Sequence, residues 1–348
     1  MAKRAYFSIG SRRIGPDYPP LVIAEIGINH EGSMQKAKRM VDDAARAGAE
    51  CVKFQSHVIE DEMIPAAKKT IPGNAKESIY DIMARCAMSE AQERELKRYV
   101  ESKGMIYLCT PFSRAAADRL HAMKVVAYKI GSGECNNYPL IKHIASFKRP
   151  VLLSTGMNDI ASIRPAVQIL RKAGVPFVLF HCTNQYPTPY ADVRLGAMTE
   201  LQKAFPDAVV GLSDHSLGNY TCFGAVALGA SVLEKHFTSD KSWPGPDVSI
   251  SIDPHELAEL IEGSRAVWEA RGGKKGPTKG ETPTIRFAYA SVVTIAPVAK
   301  GERFSEKNLW VKRPGTGAFL AKDYERLLGK RAKRVIPADV ALSRADVA

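Results

Sequence analysis

No stretch of this chain approaches the roughly 18–20 uninterrupted apolar residues that would cross a bilayer, so no membrane-spanning helix is expected. The six cysteines (Cys51, Cys86, Cys109, Cys135, Cys182 and Cys222) include no CxxC pair. That argues against a zinc site or a disulfide framework. Most of them sit inside apolar runs and are expected as buried free thiols of a reducing cytosol. The N-terminal segment "MAKRAYFSIGSRRIG" is basic but has no apolar core, so it does not read as a secretory signal, and a cytoplasmic location is expected. "IGSGE" (130–134) lacks the spacing of a dinucleotide-binding glycine loop.

Acidic residues are also in short supply: 37 Asp/Glu face 49 Lys/Arg, for a net charge of +12. The surplus is local. Residues 271–348 hold 17 Lys/Arg and 7 Asp/Glu, which accounts for ten of the twelve extra positive charges. This tail has few aromatics and no recognition motif, so neither nucleic acid nor membrane is an expected partner. A basic module docking near an anionic substrate or a partner subunit fits better.

Hydrophobic residues make up 45% of the 348, enough for a barrel-sized core and a smaller module. Short apolar, β-branched runs recur at 21–27, 51–55, 105–111, 126–132, 150–156, 177–183, 209–215 and 232–237. Helical patterns separate them. In "SMQKAKRMVDDAARAGAE" (33–50), Ala37, Met40, Val41, Ala44 and Ala45 form an i, i+3, i+4 stripe, and Gly48 follows as a C-terminal stop. Strand and helix in alternation predict parallel strands, and eight such units predict a (β/α)8 TIM barrel over residues 1–270. An open doubly wound sheet is the rival. "RGGKKGPTKGETPT" predicts a linker over 271–286, and residues 287–348 a small β-rich module. Within that module "SVVTIAPVAKGERFSEKNL" and "RAKRVIPADVALSRADV" resemble each other weakly.

The ends of the predicted strands are chemically loaded. In order they carry Glu25; Lys53 and Gln55; Thr110; Lys129 and Ser132, then Glu134; Ser154; Asn184; Ser213 and His215; Glu234 and His236. In a barrel these ends open on one mouth. A lone histidine reads most simply as a neutral, hydrogen-bonded ring. Two at the ends of neighbouring strands, beside Ser213, Asp214 and Glu234, point to a weakly held divalent metal such as Mn²⁺ or Mg²⁺. Lys53 and Lys129 are expected in strands, where a buried ammonium needs a partner. They read as a structural ion pair with Glu25 or Glu134, as an anion cradle with Thr110, Ser132 and Ser154, or as a Schiff-base nucleophile. The cradle accounts best for two lysines among several hydroxyls. Tyr186 and Asp247, in proline-rich loops, are placed to hold sugar hydroxyls.

Taken in order, "IAEIGINHEG", "VKFQ", "TPFS", "YKIGSGE", "STGM", "HCTNQYPTPY", "GLSDHSLG" and "EKHFTSDKSWPGPD" resemble the bacterial sialic acid (N-acetylneuraminate) synthase family. "KGERFSEKNLWVKRPGTG" is similar to that family's antifreeze-like (SAF) domain, so the resemblance covers nearly the whole chain. It implies condensation of phosphoenolpyruvate with N-acetylmannosamine to give N-acetylneuraminate and phosphate. It assigns His215 and His236 to a divalent ion, Mn²⁺ first with Mg²⁺ or Co²⁺ as substitutes. It gives Lys53, Thr110, Lys129, Ser132, Ser154, Asn184 and Ser213 to phosphoenolpyruvate. Gln55, Asn74, Tyr186, Asp247, Phe287 and Arg313 would face the amino sugar, and Glu25, Glu134 and Glu234 are the carboxylates available to manage protons. It also implies a homodimer in which the C-terminal domain is exchanged and Arg313 reaches the partner's mouth. Legionaminic or pseudaminic acid synthesis, with the same chemistry on a diacetamido sugar, is the enzymatic alternative. An inert barrel carrying an ice- or polysaccharide-binding tail is the non-enzymatic one.

Overall fold

In the computed structural model, which describes residues 5–73 and 75–348, an antiparallel hairpin of β1 (Phe7–Ile9) and β2 (Arg12–Ile14) precedes eight parallel strands. These are β3 (Leu21–Gly27), β4 (Cys51–Ser56), β5 (Ile106–Pro111), β6 (Tyr128–Ile130), β7 (Val151–Ser154), β8 (Phe177–Cys182), β9 (Val209–Asp214) and β10 (Val232–His236). They are hydrogen-bonded in the order β5-β4-β3-β10-β9-β8-β7-β6. The first and last strands therefore pair, with His236 opposite Glu25, and β5 and β6 lie near each other across the remaining seam. An open doubly wound sheet cannot join its first strand to its last in this way. The eight strands form a near-closed barrel wrapped by helices.

Alternation along each strand divides the work. Leu21 and Ile23 of β3, Leu108 of β5, Leu152 of β7, Val178 and Phe180 of β8, Val209 of β9 and Val232 of β10 pack together as the barrel's inner plug. Residues one step away, such as Val22, Val52, Tyr107, Leu179 and Leu233, pack into the larger core beneath the helices. Two steps further along the inward face the same strands turn polar: Glu25, Lys53, Thr110, Lys129, Ser154, Ser213 and Glu234. Seven of the eight strands thus bring a polar residue to the mouth above an apolar lower half, and β8 brings Cys182.

The hairpin was not legible in the sequence, because two three-residue strands leave too short a period to detect. Its Ile9 and Ile14 are buried against the plug and close the opposite end of the barrel. Gly10, at φ +58°, supplies the turn between the two strands. The helix Met34–Arg46 follows expectation: Ser33 caps it by accepting from the Lys36 amide at 3.3 Å, and Ala37, Met40, Val41 and Ala44 are buried. Each fully buried side chain of Met or Val size stabilises the fold by about 1.5–3 kcal/mol.

The chain divides into two compact units between Gly272 and Gly273. The segment expected as linker is not structureless to its end. It takes a turn at Lys279–Glu281 and then the helix Thr282–Ala288. In the second unit β11 (Ser291–Thr294) pairs antiparallel with β12 (Leu309–Lys312) around Val292, Val298, Phe304, Leu309, Ile336 and Leu342. The two weakly similar segments face each other through the bridges Val293–Ala341, Val298–Ile336 and Arg303–Arg331.

Candidate active site

The polar strand ends surround a cavity of about 270 Å³. Lining it are Glu25, Lys53, Gln55, Thr110, Lys129, Ser132, Glu134, Ser154, Asn184, Tyr186, Ser213, His215, Glu234 and His236, which come from all eight strands or the loops after them. Of the other expected residues, Asp247 is buried beside His236, with Oδ2 3.8 Å from its Nδ1. Asn74 lies outside the described residues. Phe287 and Arg313 belong to the second unit and are exposed there.

Glu234 ties the lysines together. Its Oε1 accepts from Ser213 Oγ at 3.0 Å and lies 3.4 Å from Lys129 Nζ and 3.8 Å from Lys53 Nζ. Lys53 also meets Glu25 Oε2 at 2.8 Å and donates to Thr110 at 3.1 Å, while Lys129 donates to Ser154 at 2.7 Å. Burial alone would push the Glu234 carboxyl up. Lys129 and Lys53 more than offset that and hold it ionised. Lys53, facing two carboxylates against its burial, is raised. Lys129 is lowered by burial, which Glu234 only partly compensates.

The remaining carboxyls behave differently. Burial raises Glu25 despite Lys53, and burial with the nearby Glu62 pushes Glu134 up to about 7. Glu134 Oε2 is buried without a hydrogen-bond partner in the protein. Two buried carboxyls with raised pKa thus stand beside one held ionised by two lysines.

His215 and His236 stand with ring centroids 5.3 Å apart, and Tyr186 packs on His215 at 4.2 Å. His215 Nδ1 donates to the Thr183 carbonyl at 2.8 Å, which leaves its Nε2 free of that bond. Burial depresses His215, but Cys182 Sγ at 3.8 Å reverses the effect and holds it up at about 9, so a cation there would displace a proton. Burial and the neighbouring His215 keep His236 neutral, and its Nδ1 has no hydrogen-bond partner. Among the described residues no group of three or more His, Cys, Asp and Glu is arranged to hold a metal. His215 Nε2 and the unpartnered His236 Nδ1 are the nitrogen donors that would hold a divalent ion here.

Asp214, expected near that pair, is turned to the other face of β9. It makes a fully buried ion pair with Lys235 of β10 at 2.6 Å and accepts from Ser216 and Thr221. One-residue alternation explains this, since Ser213 and His215 face inward and Asp214 between them cannot. The pair holds β9 to β10 beneath the helices, and removing either partner would cost about 3–5 kcal/mol.

Several site features were missed in the sequence. Cys182 lines the cavity wall, as do Phe112 and Met157. Gly156 is required sterically: a Cβ there would lie 1.9 Å from Asn184 Oδ1 and 2.8 Å from Ser132 Oγ, and its amide donates to Ser132 at 3.1 Å. Buried His57 also went unread, although "VKFQ" stops two residues short of it.

Comparison with known proteins agrees with this geometry. The chain is 39% identical to the N,N'-diacetyllegionaminic acid synthase of Campylobacter jejuni, over 90% of this chain and 96% of that protein. It is 35% identical to human N-acetylneuraminate-9-phosphate synthase, over 94% and 92% of the two chains. The crystal structure of N-acetylneuraminic acid synthetase from Leptospira borgpetersenii, in complex with citrate, superposes with a TM-score of 0.74 at 31% identity, covering 81% of this chain and 95% of that one. Residues 40–276 match the NeuB family and residues 289–348 match the SAF domain, so this chain belongs to the NeuB family and ends in a SAF domain.

Proposed function

We propose that the chain condenses phosphoenolpyruvate with N-acetylmannosamine and water, giving N-acetylneuraminate and phosphate with cleavage of the C–O bond. The observation that carries this reading is the pair of buried lysines converging on one carboxylate among hydroxyl donors. Phosphoenolpyruvate is compact and highly charged. It suits ammonium and hydroxyl donors that are already fixed and kept from water, because nothing need reorganise when it enters. Lys53 and Lys129 would grip its phosphate and carboxylate with Thr110, Ser132, Ser154, Asn184 and Ser213. A divalent ion at His215 and His236, Mn²⁺ first and Mg²⁺ or Co²⁺ next, would polarise the sugar aldehyde and offset the substrate's charge.

Held face to face, the vinyl carbon of phosphoenolpyruvate attacks the aldehyde carbon of the sugar. Water adds to the cationic carbon beside the carboxylate, and the tetrahedral carbon expels phosphate. Glu134, high in pKa and free of partners at Oε2, is the better proton carrier. Glu25 is tied to Lys53 and Gln55, and Glu234 remains the counter-ion. Tyr186, Asp247, Gln55, Asn74 and Phe287 would face the sugar.

The similarity to a diacetyllegionaminic acid synthase supports a second reading, in which the sugar carries two acetamido groups. A panel of 2-acetamido and diacetamido sugars, incubated with phosphoenolpyruvate and Mn²⁺, decides between them by phosphate release. The fastest release is expected with N-acetylmannosamine. A diacetamido sugar turning over faster reverses the order, and no release with any sugar removes both readings.

We further propose that the protein works in the cytoplasm as a homodimer with exchanged C-terminal domains, in which Arg313 of one chain contacts the N-acetyl group in the other's mouth. The support is the exposed arginine on a basic module that follows a Gly- and Lys-rich stretch. Arg313→Ala should raise the KM for the sugar far more than that for phosphoenolpyruvate. At a sugar concentration too low for either variant alone, mixing Arg313→Ala and His236→Ala proteins under subunit exchange should restore part of the activity. A mixture as dead as its components contradicts action across the dimer.

A further inference from the structure

His57 is a buried imidazole that the mechanism above leaves unused. It follows β4, two residues beyond Gln55, and stacks on Phe112 with centroids 4.8 Å apart and planes 11° from parallel. Its Nδ1 lies 2.8 Å from Glu62 Oε2, and its Nε2 lies 3.1 Å from Gln55 Oε1. Gln55 in turn donates from Nε2 to Glu25 Oε1 at 3.1 Å. The result is an unbroken chain from Glu62 through His57 and Gln55 to Glu25 and the cavity.

The order of donors along this chain is constrained. A carboxylate and an amide carbonyl are both acceptors, so the ring between them needs a proton on each nitrogen. With both present, Gln55 must turn its oxygen to His57 and its NH₂ to Glu25. A ring bare at Nε2 would repel that oxygen. The amide would then rotate and set its oxygen against Glu25, where only a protonated carboxyl could face it. His57 also acts on Glu93, which is paired with Arg119 at 2.9 Å, on Glu134, and on His30, which burial and His57 hold at about 4.

We propose that the Glu62–His57 pair is a positioning device that fixes the Gln55 amide with its NH₂ toward Glu25 and the sugar. His57 is a positioning residue that acts through Gln55. This rests on the synthase reading for its kinetic consequence, but not for its geometry.

Two measurements test it. In the wild-type protein, ¹⁵N NMR of the histidine side chains should show both His57 nitrogens protonated at neutral pH, and Glu62→Gln should abolish that pattern. A ring with one protonated nitrogen in the wild type overturns the proposal, whether or not any sugar is turned over. In kinetics, Glu62→Gln should lower kcat/KM for the sugar about tenfold and His57→Phe about a hundredfold, with the KM for phosphoenolpyruvate within about twofold. His57→Phe keeps the ring and its stack on Phe112, and Glu62→Gln keeps the side-chain shape. In a Gln55→Ala background the same substitutions should cost no more than about twofold, because the amide they orient is gone. Equal losses in both backgrounds would mean a general structural role and would overturn it. A wild type that releases no phosphate with any sugar would sink the synthase reading and leave the NMR result to judge the relay.

Discussion

Treatment with EDTA should abolish phosphate release, and added Mn²⁺ should restore it, while His215→Ala and His236→Ala each lose about a thousandfold or more. The size follows from what an aldehyde needs. A neutral carbonyl carbon is a poor electrophile for the weakly nucleophilic vinyl carbon of phosphoenolpyruvate, and polarising its oxygen is worth several kcal/mol. Reversibility would follow from a ligand set of His215 and His236 alone, with His215, held up at about 9, giving up a proton on binding. Binding should therefore be modest and steeper at higher pH, which a Mn²⁺ titration by calorimetry would follow. Full activity in rigorously metal-free protein would end this assignment.

Lys129→Met should raise the KM for phosphoenolpyruvate about ten- to a hundredfold, since a charge-assisted contact is worth about 1.5–3 kcal/mol. The fold should survive. Glu234 keeps Ser213 and the Lys53 ammonium, and Met fills the space the lysine stem occupied. Lys53→Met is harsher, because it leaves Glu25 without its cation at 2.8 Å and should lower thermal stability as well as affinity. Steady-state kinetics with each variant, beside a thermal melt, separates the two effects. Covalent trapping of pyruvate on either lysine by borohydride would replace the cradle with a Schiff-base aldolase.

Much of the fold could be read because a barrel strand announces itself twice. Runs such as VVGLSDH are apolar on both faces at their lower ends and end in polar residues, so element and site come from one stretch of sequence. The observed strands, for example Phe177–Cys182 and Val209–Asp214, match those runs to within a residue. The N-terminal hairpin carried no such pattern, and its burial is decided by the rest of the barrel. Within the site, residue type and strand end identified Lys53, Lys129 and Glu234, but not which carboxyl would be ionised. That depends on distances of 3–4 Å among residues more than a hundred positions apart. Asp214 shows the limit most clearly. Its neighbours in sequence are site residues, yet the pleat sends it to the helices. His57 fell outside the quoted motif, and only its geometry to Glu62 and Gln55 makes it notable.

The central claim is that this mouth joins phosphoenolpyruvate to an amino sugar through water attack at carbon. Phosphoenolpyruvate labelled with ¹⁸O in the bridging position, incubated with N-acetylmannosamine and Mn²⁺, tests it most directly. Mass spectrometry should find the label in the released phosphate, with N-acetylneuraminate unlabelled. Label retained in the sugar acid would mean that the P–O bond broke, and would contradict the mechanism.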